Sequence, residues 1–299
     1  MAFLRSQPGN EGGGVIHDYR IDFALLTKGL NLKNTRVSTG GVSELLDPKP
    51  ETTSQEWEPE QVRFTAFTAP LFRTTAEEVF RITAGEDPTK MSHDKQQRSQ
   101  TAEGPFGAGT LSVTLVPGRI DWVYALQEEP LQVSFATLGP LSGSVQTAQP
   151  AFQKWLQTEP SLNRMACGFI LLRTSKDRAS GYREIQPYLH HVQLDPEGSS
   201  DFMFQINRPR DYLLDNEPLK INRVSQWSVA AKIFQTHSIS PQEGIVRVQS
   251  HSALAACRVS LDINTAADRA VELPKSKLAA IHELLVDFAV ELAEKGDIP

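Results

Sequence analysis

Apolar and polar residues alternate with a period of two along much of this chain. Ile21, Phe23 and Leu25 share one parity in 19–26 and predict a first strand, and 62–69 predicts another. Leu111, Val113 and Leu115 alternate with Ser112 and Thr114, and Ile120, Trp122, Tyr124 and Leu126 alternate in the same way after Pro117-Gly118. Two such runs around a turn pair predict a β-hairpin. A further strand is expected at 131–138. Residues 165–172 are apolar at both parities, which predicts a central strand covered on both faces. Strands follow at 189–194, 201–207, 219–234 (bent or bulged near Ser225) and 244–248. In 255–263 Cys257, Val259, Leu261 and Ile263 face in, while Arg258, Ser260 and Asp262 face out.

Helical spacing is rarer. Thr74 and Thr75 each precede a Glu by three residues, the capping-box pattern, and Gly85 is the expected stop. Phe152, Trp155 and Leu156 predict a short helix over 147–158. Asp177 is placed to cap a brief helix that ends before Pro187. Leu278, Ile281, Leu285, Phe288 and Leu292 recur at steps of three and four, with Lys295 in the last turn and Gly296 at the stop. Strand after strand with few helices predicts an α+β fold. We expect mainly antiparallel twisted sheet, with three or four helices and the longest at the C-terminus.

At 299 residues the chain suits one continuous domain or two lobes. The division expected is 1–60 (tail, first strand and acidic connector), a β-rich lobe at 61–198, and antiparallel strands plus a helix at 199–299. The connector, 44–60, carries six acids against Lys49 alone, together with Pro48, Pro50 and Pro59. Residues 85–109 are polar and hold Pro88, Pro105, Gly104, Gly107 and Gly109. With no bulky apolar residue between Met91 and Phe106, this stretch is expected to be disordered, or else a lid.

A net charge of −6 makes nucleic acid an improbable partner, because phosphate binding needs surplus Lys and Arg. No apolar run reaches the ~20 residues of a membrane span, and the opening residues hold no secretory core. Cys167 and Cys257 are expected to be free buried thiols in a reducing, cytoplasmic setting. No nucleophile elbow, phosphate loop or metal spacing is present. His190 and His191, adjacent on an expected strand, would point to opposite faces. No catalytic residue, metal or cofactor is therefore expected.

One constellation rises above this background. Ile206-Asn207-Arg208 recurs as Ile221-Asn222-Arg223, and Arg210 follows Pro209. By strand parity Arg208 shares a face with Ile206, and Arg223 with Ile221, so both guanidinium groups start from the apolar side. Asp201, Asp262, Glu184 or backbone carbonyls are the expected neutralising partners. The competing reading makes Arg208, Arg210, Arg223, Asn207 and Asn222 a binding site for an anion or an acidic partner.

Gln205-Ile206-Asn207-Arg208, Lys220-Ile221-Asn222-Arg223, Leu261-Asp262-Ile263-Asn264-Thr265 and Ile281-His282-Glu283-Leu284 resemble segments of a sporadically distributed family of uncharacterised bacterial proteins. The resemblance covers mainly residues 160–299. It implies an accessory gene of a mobile or defence-type operon and carries over no catalytic residue. The expected function is a non-enzymatic component that binds another protein or itself. The alternative is a small-molecule or anion-binding protein, an enzyme included, with 85–109 as its lid.

Overall fold

The structure is a computed structural model that describes residues 56–68, 74–127, 134–214, 217–239, 246–267 and 272–299. The strand expected at 19–26 and most of the acidic stretch lie outside these residues. The stretch's last residues do not form a connector, since Glu58–Thr68 is the first described strand, β1.

The chain continues through α1 (Ala76–Ala84), β2 (Lys90–Asp94), β3 (Ser99–Phe106), β4 (Gly109–Val116), β5 (Arg119–Ala125) and α2 (Leu141–Leu156). Next come β6 (Leu162–Ser175), α3 (Arg178–Ile185), β7 (Met203–Asn207), β8 (Arg210–Leu214), β9 (Glu217–Ile239), β10 (Val246–Thr265) and α4 (Leu278–Lys295). The ten strands form one sheet in the order β2-β3-β4-β5-β1-β6-β10-β9, with β7 and β8 both paired to β9. Every pairing is antiparallel. The fold is α+β, and its longest helix closes the described chain.

Local chemistry explains the helix ends. Thr75 Oγ1 accepts from the Glu78 amide at 3.2 Å while Glu78 Oε2 accepts from the Thr75 amide at 3.1 Å, closing the capping box. Gly85 ends α1 at φ 81°, where a side chain would be strained. Asp177 Oδ1 accepts the Ser180 amide at 2.7 Å to start α3. Helix α2 begins six residues before the expected start. Ser144 and Thr147 donate back to the Pro140 and Gly143 carbonyls, so both hydroxyls are accommodated within a helix that also contains Pro150.

Strand parity puts all four helices on one face. Phe64 of β1 packs on Trp122 of β5 (centroids 5.0 Å apart), Phe152 of α2 (5.5 Å) and His282 of α4 (4.9 Å). Trp122 Nε1 donates to Thr83 Oγ1 of α1 at 3.0 Å. Cys257 Sγ donates to the Gly181 carbonyl of α3. Through the register Phe64, Cys167, Ile263 and Arg223 form one helix-side row.

The opposite face carries none of these helices. Residues 165–172 are nonetheless buried except at Ile170, in a central strand covered on both faces, as their composition suggested. The open-side positions on β6 are small or shadowed by long neighbours. The Arg63 side chain lies over Gly168, and Leu172 is flanked by Glu58 and Arg258.

Residues 85–109 are neither disordered nor a lid. They form the β2–β3 hairpin, whose turn is built by Asp94 Oδ1 accepting from the amides of Gln96 and Gln97 and by Arg98 at φ 51°. Its inward residues are Ala102 and Gly104, small because Phe80 fills the space. A Cβ on Gly104 would lie 2.9 Å from that ring. Residues 189–194 are not a strand. The Gln186 side chain bonds the Val192 carbonyl and the Leu194 amide in place of a neighbouring strand, so His190 and His191 lie in a turn. The bulge expected as one alternative near Ser225 is absent. β9 pairs with β10 without a shift from Ile221 to Lys232, and 244–248 and 255–263 merge into β10, with the irregularity between His251 and Leu254. Cys167 and Cys257 lie on neighbouring strands, but Cys167 pairs with Ile263, six residues from Cys257. About 20 Å of strand separates the two free thiols.

Candidate functional site

The arginine constellation divides across the sheet. Arg208, Arg210 and Arg223 project to the helix side and are claimed by the end of α4. Arg208 makes a bidentate pair with Asp297, Nε to Oδ1 at 2.8 Å and Nη2 to Oδ2 at 2.9 Å. Arg210 bonds Glu291 at 3.0 Å and the Pro299 carbonyl at 2.7 Å. Arg223 is fully buried, with its guanidinium over the Phe288 ring and one nitrogen 3.5 Å from Glu291. Its Nε and Nη1 have no partner among the described residues.

The electrostatics follow from this enclosure. Burial, then repulsion from Arg210, lowers the Arg223 pKa. Hydrogen bonding to Arg208 holds the Asp297 carboxyl low. Burial pushes Glu291 up, but Arg210, Lys295 and Arg223 outweigh it and leave the carboxyl lowered. The neutralising acids are thus Glu291 and Asp297, not Asp201, Asp262 or Glu184. Asp201 is exposed, Asp262 is on the other face, and Glu184 bonds Ser175 at 2.7 Å and pairs with Arg173.

Asn207 and Asn222 belong to the open face. Asn207 Nδ2 donates to Asn222 Oδ1 at 3.2 Å, and Asn222 Nδ2 donates to Asn264 Oδ1 at 3.0 Å. Arg164 Nη2 donates to the same Asn264 oxygen at 2.8 Å. Asn264 Nδ2 in turn donates to Asp262 at 3.1 Å. This ladder ties β7, β9, β10 and β6 together and consumes most of its own hydrogen-bonding capacity.

Beside the ladder lies a groove of about 250 Å³ lined by Gln61, Arg63, Gly168, Ile170, Gln205, Val224, Gln226, Ser260 and Asp262. Its rows are set by register: Arg63 pairs with Gly168, Gly168 with Asp262, and Asp262 with Val224. The next row runs Gln61, Ile170, Ser260, Gln226 and Gln205. Gly168 supplies a floor without a side chain, and a Cβ there would lie 3.3 Å from Arg63 Nε. Sequence reasoning missed this site because its residues come from five strands. The one local signal was an arginine at an outward position of β1 opposite a glycine in an otherwise apolar strand.

The reactive side chains elsewhere are muted. Burial pushes the Cys167 thiol well up, and Cys257 rises to about 11, chiefly through burial. His282 is fully buried among Phe64 and Phe152, and burial lowers its pKa to about 4. Among the described residues no three His, Cys, Asp or Glu side chains gather to hold a metal ion. Nor is any described helix long and apolar enough to cross a membrane. No protein-family model and no curated protein matches the chain.

Proposed function

We propose that the protein is a non-catalytic, cytoplasmic binding protein that takes a small polar ligand on the helix-free face of its sheet. The observation that carries this reading is the groove at Gly168. Its guanidinium, Arg63, has no acceptor among the described residues, whereas Arg164 and Arg258 on the same face hold Asn264 and Glu60. Concave sites with a few convergent polar groups are where small ligands bind. The protonated thiols and the buried His282 support a binding role over nucleophilic or acid–base chemistry. Arg208, Arg210 and Arg223, the competing binding site read from the sequence, pair with Glu291 and Asp297, which supports a role in anchoring α4 over one in holding a ligand.

A thermal-shift panel of amino acids, carboxylates, phosphates, amines and sugars tests this reading. At least one class should raise the melting temperature of the wild type. Gly168→Val should abolish the response while folding normally, since valine suits a strand and the unpartnered Arg63 can move aside. No response across the panel, or a response unaffected by Gly168→Val, overturns it.

A second reading, recognition of a second copy of the chain, is favoured by the β7–β8 edge. Met203 and Leu213 are 65% and 67% exposed there, beside open strand hydrogen-bonding groups. Concentration-dependent dimerisation that Leu213→Lys removes would support it, and a monomer at high concentration would sink it.

A further inference from the structure

We propose that the groove binds a small zwitterion, a ligand of amino-acid to dipeptide size carrying both a carboxylate and an ammonium group. The inference rests on the open face being the binding face and names the ligand class.

Arg63 and Asp262 flank Gly168 on either side, each as its direct register partner. Their Cα atoms are therefore two strand spacings apart, about 10 Å. The Arg63 guanidinium lies over the glycine, yet among the described residues it makes no ion pair with Asp262 and no hydrogen bond with any group. Among the described residues Asp262 accepts only from Asn264, through Oδ1, and Oδ2 receives no donor. Two opposite charges thus stand apart across a floor with no side chain, each with bonding capacity left over.

The rest of the lining agrees. Gln61, Gln205 and Ser260 make no side-chain hydrogen bond among the described residues, and the Gln226 amide points at the sulfur of Met203, a weak acceptor. These groups can serve the polar atoms of a peptide unit. Ile170 and Val224 give methylene-sized apolar contact between them. A plain anion would be repelled by Asp262, and a plain amine by Arg63. The other charged pair nearby, Glu60 with Arg258 at 3.6 Å, is closed on itself. Only a ligand bearing both charges satisfies both walls, with the carboxylate on the guanidinium fork and the ammonium on Asp262.

The test is calorimetric titration with the twenty amino acids and a dipeptide library. The best binder is then compared with its N-acetylated and its C-amidated forms. The expected result is that each blocked form binds at least tenfold more weakly. Arg63→Gln and Asp262→Asn should each cause a similar loss with unchanged melting temperature. Blocked forms that bind as well as the free zwitterion overturn the inference. If no zwitterion binds but another class responds and Gly168→Val abolishes that response, the zwitterion assignment falls while the open-face reading stands. If nothing binds, both fall. If Arg63→Gln and Asp262→Asn show coupled stability losses without a ligand response, the two charges close on each other, and the inference is overturned.

Discussion

Arg223 and Arg63 both lack hydrogen-bond partners for part or all of their guanidinium groups, and the consequence is opposite on the two faces of the sheet. Arg223 is fully buried, so the bonds its Nε and Nη1 do not make with protein are not made with water either. That is an unrecovered desolvation cost. Arg63 is half-buried at the rim of an open groove, where its donors stay within reach of solvent or a ligand. A missing partner is strain on the helix side and available binding capacity on the open side. The alternation of strand residues decides which applies.

The largest expected effect comes from truncating both arginines. Arg223→Ala should cost about 3 kcal/mol, because it removes a buried stem packed on Phe288 and loosens the hold on Glu291. Arg63→Ala should stay within about 0.5 kcal/mol, the usual range for a surface change. Arg223→Met sharpens the contrast. It keeps the stem and deletes the desolvated charge, so stability should return to the wild-type value or exceed it. Denaturant melts read all three. Equal losses at the two positions would break the comparison.

A pH effect of comparable size separates the faces in another way. His282 lies on the helix side against Phe64 and Phe152, in a small cavity also lined by Cys167, Gln149 and Arg63, and neither ring nitrogen has a hydrogen-bond partner among the described residues. Its pKa falls from 6.5 in the unfolded chain to about 4 when folded, because burial disfavours the charged ring. Below pH 6.5 the unfolded chain takes up a proton that the folded chain refuses. Stability from this group is therefore complete above pH 6.5 and is lost as pH falls towards 4, by about 3 kcal/mol. The lowered carboxyls of Asp297 and Glu291 also lose stability in acid, so the measurement is the difference between wild type and His282→Leu. A difference that stays flat between pH 6.5 and 4 would show that His282 is wet.

Parity made the helix face legible. It placed Trp122 on the buried face of its strand, and it placed Arg223 on the apolar side. The capping box at Thr75, the Asp177 cap and the Gly85 stop were equally readable, since each depends on residues three or four apart. Long-range contacts were not readable. Glu291 and Asp297 reach Arg210, Arg223 and Arg208 from at least 68 positions away, and nothing local to the arginines specifies that helix. The β2–β3 hairpin was hidden because its buried residues are Ala102 and Gly104, small side chains that fit under Phe80. The groove was hidden because register across five strands creates it.

The smallest expected effect lies within the open face itself. Asn222 bridges Asn207 and Asn264, while Gln226, four residues along the same strand, spends its amide on a sulfur. Asn222→Ala removes two amide hydrogen bonds from a connected ladder. Asn264 Oδ1 keeps the Arg164 donor and Asn207 is exposed, so no buried group is stranded. The cost should be about 1 kcal/mol. Gln226→Ala breaks no bond of that strength and should lie within about 0.5 kcal/mol. The ligand response should reverse this order, with Asn222→Ala leaving it intact and Gln226→Ala weakening it. If both variants destabilise equally and neither alters the response, the ladder and the groove are a single hydrated surface, and the division drawn between them is lost.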